Sequence, residues 1–179
     1  MITLVTGGSG SGKSQYAENL AISLNKTHLI YIATMIPYGN ESIVKIKRHQ
    51  EQRQDKKFQT IECFTNIKSL KVERKPTILL ECMSNLLANE MYSENGIRQL
   101  PEPIDVRDEI MEGMKHLDSL CDNLVIVSNE VFSDGISYDD DTSTYIQNLG
   151  DINRRISSLA LNVVEVVCGI PNIIKGRKV

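Results

Sequence analysis

Five short runs of apolar, largely β-branched residues recur along the chain: Ile2–Thr6, Leu29–Ala33, Thr77–Leu80, Leu124–Val127 and Val163–Val167. Near-continuous apolar runs of strand length predict strands buried on both faces, as in a parallel sheet covered by helices. The stretches between them change period. Ser14 to Leu24 reads as a helix, and Val106, Ile110, Met114, Leu117 and Cys121 recur at helical spacing, as do Tyr145, Leu149, Ile152, Ile156 and Leu159. Met111 and Met114 are assigned to packing within the first of these stripes. Strands alternating with helices predict an α/β fold, mostly parallel, with helices on both faces of the sheet. Tyr92–Pro103 and Asp134–Asp141 are polar and read as surface loops; neither is long enough to divide the chain, so a single domain over 1–179 is expected. Asp139, Asp140 and Asp141 lack the alternating oxygen ligands and closing Glu of a calcium loop, and are read as a solvated helix N-terminus.

Composition adds mainly exclusions. Over 179 residues, 41% hydrophobic and 24% charged content describe an ordinary globular protein. A formal net charge of −3 gives no basic footprint for nucleic acid. No apolar run approaches the roughly 20 residues of a membrane span, and Met1–Thr6 lacks the features of a signal peptide. Cys63, Cys82, Cys121 and Cys168 stand singly, without paired metal or redox spacing, which points to a reducing cytoplasm.

The chemistry begins directly after the first run. Gly7-Gly8-Ser9-Gly10-Ser11-Gly12-Lys13-Ser14 matches the P-loop pattern G-x-x-x-x-G-K-[ST], and it follows a predicted strand and opens a predicted helix as that motif requires. Glycines let backbone amides face the phosphates, reinforced by the helix N-terminus; Lys13 reaches the β- and γ-phosphates and Ser14 is a candidate magnesium ligand. A P-loop magnesium also calls for a carboxylate at the end of a neighbouring strand. Glu81, after Thr77–Leu80, is the candidate, although it could instead cap a helix starting near Ser84. The base-reading motif of switch GTPases is absent, since Asn25-Lys26-Thr27-His28 ends in His.

Of three histidines, His28 and His116 read as packed or surface residues. His49 lies in a basic segment of helical spacing, Lys45 to Arg53, soon after the second strand. His49 and Arg53, four apart, share a helix face, with Lys45 one turn earlier. A neutral imidazole can attack phosphorus, but a solvated basic helix face accounts for the same residues.

The chain resembles the bifunctional adenosylcobinamide kinase / adenosylcobinamide-phosphate guanylyltransferase family almost from end to end. The resemblance is carried by Leu4-Val-Thr-Gly-Gly8 with Ser11-Gly-Lys-Ser14, Tyr31-Ile-Ala-Thr34, His49 followed by Arg53, Glu62-Cys63, Leu79-Leu-Glu-Cys82, Asn129-Glu-Val131 and Asn153. It implies a P-loop NTPase fold of the RecA-like kind, with ATP and GTP as substrates and Mg2+ as cofactor. It further implies phosphorylation of adenosylcobinamide, then transfer of GMP from GTP through a covalent intermediate on His49. Ala33, Thr34, Met35, Gln50, Glu51, Gln52, Arg53, Glu62 and Glu81 would then line the GTP site beside the P-loop, with Ser14 and Glu81 at the metal, in a homotrimer. Gly10, where the family often carries Arg, and Gln54, where it commonly carries Pro, depart from the pattern. A P-loop kinase for another small alcohol and a nucleotide-gated regulatory module are the competing readings.

Overall fold

The computed structural model describes residues 1–25, 28–39, 44, 47, 56–73, 75–99, 102–132 and 135–177. Its strands are β1 (Ile2–Thr6), β2 (Leu29–Ala33), β3 (Phe58–Glu62), β4 (Thr77–Glu81), β5 (Asn123–Val127), β6 (Asn162–Val167) and β7 (Ile170–Lys175). The α-helices delimited among the described residues are α1 (Lys13–Leu24), α2 (Met83–Tyr92), α3 (Val106–Leu120) and α4 (Asp140–Leu159). One sheet contains all seven strands in the order β3-β2-β4-β5-β1-β6-β7. Every pairing is parallel except the β6–β7 hairpin.

The five apolar runs form the centre of that sheet, and the alternation of their side chains divides the core. Leu4, Ile30, Ile32, Ile78, Leu80, Leu124, Ile126 and Val163 face one way, against α2, α3 and α4. Val5, Leu29, Tyr31, Leu79, Val125, Val127 and Val164 face the other, against Ala17, Leu20 and Ala21 of α1. Helices therefore cover both faces, one of them carrying α1. Each fully buried Leu or Ile contributes about 1.5–3 kcal/mol of transfer free energy.

Both helical stripes pack as their spacing predicts, with one exception: Leu159 ends α4 facing outward, 51% exposed, where the rotation of the helix has carried it past the core. Asp139 N-caps α4, its carboxylate accepting from the Thr142 amide at 2.8 Å. Two strands exceed the five runs. β3 is an edge strand with Gln59, Thr60 and Glu62 exposed, and β7 is exposed along its whole length.

Candidate active site

The carboxyl ends of the parallel strands meet the predicted motif at one edge. Strand register places Glu62, Ala33, Glu81, Val127 and Val5 at one level across five adjacent strands. The P-loop leaves β1 just above that level. Ligands of open α/β sheets bind at this carboxyl edge.

Within the loop, carbonyl oxygens are taken up by the protein itself. Gly7 O accepts from the Glu130 amide (3.0 Å), Gly8 O from the Ser11 amide and from Lys13 Nζ (both 3.2 Å), Ser11 O from the Gly169 amide (2.8 Å) and Gly12 O from the Tyr16 amide (3.0 Å). Helix α1 begins at Lys13 behind Gly12, which is left-handed at φ 91°, and no side chain caps its N-terminus. Ser11 Oγ is buried without a hydrogen-bond partner. Oxygens turned away, an uncapped helix N-terminus and an orphaned hydroxyl make a donor-rich concavity that fits an anion. Lys13 is buried and Ser14 half-buried, while Ser9 and Gly10 are exposed at the rim.

Glu81 requires a correction. It ends β4, and β4 does not neighbour the P-loop strand, because β5 lies between β4 and β1. At about 4.8 Å per strand, its backbone stands roughly 10 Å across the sheet from β1. Its side chain nevertheless shares parity with Leu79, on the face that carries α1, and its Oε2 accepts from the buried Tyr31 hydroxyl at 3.2 Å. It does not cap α2, whose N-cap is Cys82 with no side-chain cap bond.

The β2–β4 corner is closed by side chains. Thr34 is fully buried; its Oγ1 donates to the Cys82 carbonyl (2.8 Å) and accepts from the Cys82 amide (2.7 Å). Asn89 Nδ2 donates to the carbonyls of Thr34 (2.7 Å) and Phe64 (2.9 Å). Burial pushes the Cys82 thiol up, against the Ser84 hydroxyl and the nearby Lys13 ammonium, so Lys13 and this corner share one electrostatic environment. Ala33 and Met35 are half-buried and Glu62 is exposed at the same edge.

Several residues here were not among those singled out for the nucleotide site. Ser128 Oγ donates to Asn153 Oδ1 (2.6 Å), Asn129 Nδ2 to Ser84 Oγ (2.8 Å), and the Tyr145 hydroxyl to the Ser84 carbonyl (3.2 Å). Burial pushes the Tyr145 phenol up to about 12, which keeps it a donor. This network joins β5, α2 and α4 beside the P-loop. The available signal was positional: Ser128 and Asn129 are the first polar residues after β5, at the carboxyl edge.

His49, Gln50, Glu51, Gln52 and Arg53 lie outside the described residues, as does Lys45. The chain returns from that stretch at Lys56, whose ammonium pairs with the buried Glu18 carboxylate on α1, one helical turn after Ser14. Of the other two histidines, His116 is held in place, its Nε2 2.8 Å from the Leu70 carbonyl, while His28 is half-buried just before β2 and its backbone carbonyl accepts from the Thr77 amide.

Among solved structures, the flagellar accessory protein FlaH of Methanocaldococcus jannaschii superposes with a TM-score of 0.51 at 13% identity, over 98% of this chain and 78% of its own. A KaiC-like protein of Pyrococcus horikoshii gives 0.50 at 12%, over 99% and 79%. These likenesses concern the fold alone, which is that of the P-loop NTPases. In sequence, the bifunctional adenosylcobalamin biosynthesis protein CobU of Salmonella typhimurium is 30% identical over 95% of this chain and 97% of its own. The corresponding protein CobP of Pseudomonas aeruginosa is 25% identical over 99% of both. Residues 3–174 match the model of the family described as cobinamide kinase / cobinamide phosphate guanyltransferase. With that match spanning the P-loop, every strand of the sheet and the whole carboxyl edge, the chain belongs to the cobinamide kinase / cobinamide phosphate guanyltransferase family of cobalamin biosynthesis.

Proposed function

We propose that this chain carries out both family reactions on adenosylcobinamide, using one P-loop for two different phosphorus centres. In the kinase step the substrate hydroxyl attacks the γ-phosphorus of ATP or GTP, the bond to the β,γ-bridging oxygen breaks, and the hydroxyl proton leaves with solvent. In the second step a neutral His49 nitrogen attacks the α-phosphorus of GTP and pyrophosphate departs. A phosphate oxygen of adenosylcobinamide phosphate then takes the GMP from His49, giving adenosylcobinamide-GDP and restoring the imidazole.

The observation that carries this reading is the phosphate cradle: carbonyls drawn off, amides and the α1 N-terminus left to the ligand, and Lys13 beside it. A loop that grips the β- and γ-phosphates presents the α-phosphate to a nucleophile and stabilises pyrophosphate as it leaves. Gln50, Glu51, Gln52 and Arg53 follow His49 directly, and Ala33, Thr34, Met35 and Glu62 stand at the edge from which that segment departs. Thr34 stands there as part of the frame, since its hydroxyl is already engaged on both sides by the Cys82 backbone.

Ser14 and Glu81 would hold Mg2+, which bound there would screen the phosphate charge. The chemistry of the pair supports this: a hydroxyl and one carboxylate are hard oxygen donors, and magnesium takes few carboxylates when substrate phosphates complete its shell. The homotrimer is what the family resemblance implies; the hairpin edge, where Val167, Ile170 and Ile174 are each more than half exposed, offers an apolar surface through which copies could associate. One sheet carrying both cores supports a single domain over 1–179. Free cysteines support the cytoplasm, and among the described residues no helix is long and apolar enough to cross a membrane.

The test uses GTP labelled at the α-phosphate, with magnesium. An acid-labile, base-stable GMP adduct forms on the wild type and is missing from His49→Ala. A wild type that turns over adenosylcobinamide to its phosphate but forms no adduct would refute the guanylyl step and leave the kinase.

A further inference from the structure

The tip of the β6–β7 hairpin touches the P-loop at three places, although the two lie at opposite ends of the chain. Val167 pairs with Ile170, and the two-residue connection Cys168–Gly169 has φ of +50° and +79°, the pattern of a type I′ turn. In such a turn the amide of the second central residue takes no part in closure. Here it points at the phosphate loop: Gly169 N–H donates to Ser11 O at 2.8 Å. Behind it the backbones meet without room for side chains. A Cβ on residue 12 would come within 3.2 Å of Gly169 Cα, and one on residue 7 within 2.5 Å of the Val166 carbonyl oxygen.

We propose that Gly169 is a positioning residue for nucleotide binding, acting through its backbone amide. A trans peptide is planar, and its C=O and N–H point in opposite directions. Holding Ser11 C=O against the hairpin therefore turns the N–H of the same peptide, that of Gly12, away from the hairpin and toward the cradle. The Glu130 amide does the same at the other end of the loop, fixing Gly7 C=O and so directing the amide of Gly8. Anion binding by a backbone loop depends on such amides being aimed before the ligand arrives, because a loop that must reorder loses part of the binding free energy. The turn thus supplies preorganisation that the eight residues of the motif do not supply by themselves. The inference rests on nucleotide binding at the P-loop and not on the role of His49.

Cys168 offers the means of testing it. Ligating residues 1–167, as a thioester, to a synthetic peptide that begins at Cys168 allows the Gly169 amide to be replaced by an ester. This deletes one N–H and keeps the turn's backbone path. A second ligated protein carries the ester at Ile174, and a third is all-amide. Magnesium-GTP affinity is measured by calorimetry and stability by thermal unfolding. The Gly169 ester should bind GTP about 3–10-fold more weakly than the all-amide protein, the range of one lost hydrogen bond, while the Ile174 ester binds normally. A merely structural role of the Gly169 amide would lower the melting temperature and leave the affinity of the folded protein alone. Equal GTP affinity in the two esters overturns the proposal. Should the ligated chains not refold, the intact protein still decides. In amide exchange followed by NMR, the Gly169 N–H should be protected without nucleotide and its resonance should shift on adding GTP. An unprotected Gly169 amide whose resonance GTP leaves in place overturns the proposal equally. If the all-amide protein itself fails to bind GTP, the fault lies with the nucleotide reading of the P-loop and not with Gly169.

Discussion

Two corners share the carboxyl edge of the sheet at nearly the same level, and they are built on opposite principles. The P-loop corner is made of backbone: contiguous residues whose carbonyls are bonded to Glu130, Ser11, Lys13, Gly169 and Tyr16, so that the donors are left for a ligand. The β2–β4 corner is made of side chains, with Thr34 bonded to Cys82 and Asn89, and Asn129 to Ser84, across long sequence separations, and Cys82 to Ser84 locally. One corner withholds hydrogen bonds from itself in order to bind. The other completes its own and acts as frame. Substitutions should therefore separate function from stability according to the corner they strike.

The largest separation is expected at Lys13. Lys13→Ala removes the ammonium proposed to meet the phosphates, together with its bond to Gly8 O. Turnover in both reactions should fall by about 10²–10³-fold, the scale of losing one preorganised stabilising donor, with the melting temperature little changed. Steady-state kinetics beside a thermal scan reads both, and a collapse of stability in this variant would break the comparison. Gly7→Ala reverses the balance within the same corner. Its Cβ would lie 2.5 Å from the Val166 carbonyl oxygen and 2.7 Å from Ser11 Oγ, so stability should drop by about 1–3 kcal/mol in urea unfolding. At Gly10 a Cβ meets nothing within 4 Å, and the left-handed φ of +72° costs only about 1–2 kcal/mol.

The same contrast governs how much could be read from the chain. Gly7 to Ser14 carries its signature in eight contiguous residues, and the five central strands announce themselves because burial on both faces makes them apolar throughout. β3 does not: Phe58-Gln-Thr-Ile-Glu62 is a sheet edge with three exposed side chains, so it carries neither a continuous apolar run nor clean alternation. β7 includes Pro171 and is exposed on both faces, which only an outer strand tolerates. The place of Glu81 is not legible for a different reason. Chain order puts β4 before β5, and nothing local in Leu124–Val127 says that this later strand inserts between β4 and β1. Bracing by Gly169 and the bonds of Asn153 to Ser128 are equally long-range, and no spacing rule within one element reports them.

At the side-chain corner, Thr34→Val keeps volume and removes the hydroxyl. The Cys82 amide loses its acceptor and the Cys82 carbonyl its donor in a buried position, a cost of about 1–3 kcal/mol. GTP affinity of the folded variant should match wild type, because the hydroxyl is already committed within the protein. Weaker binding in calorimetry at unchanged stability would place Thr34 with the P-loop residues and dissolve the distinction between the corners.

The smallest effect concerns Glu90, which follows Asn89 on α2 and extends the frame. It is 2% exposed; Oε1 accepts from the Asn66 amide (2.7 Å) and Oε2 from the Ile97 amide (3.2 Å). Burial raises its pKa above the ordinary 4.5, outweighing the two amides, which favour the charged form. Since the folded state then holds this proton more tightly than the unfolded chain, the associated stability is fully present below pH 4.5 and is lost as pH rises through the folded value. Glu90→Gln cannot titrate. It places an amide N–H against one of two backbone donors, so it should be less stable than wild type at every pH, with the gap narrowing as pH climbs above 4.5. Urea midpoints of the two proteins across that range measure the difference. A gap that widens instead would mean that the two amide bonds, and not burial, dominate at Glu90, making it a donor-satisfied carboxylate of the kind the P-loop corner reserves for its ligand.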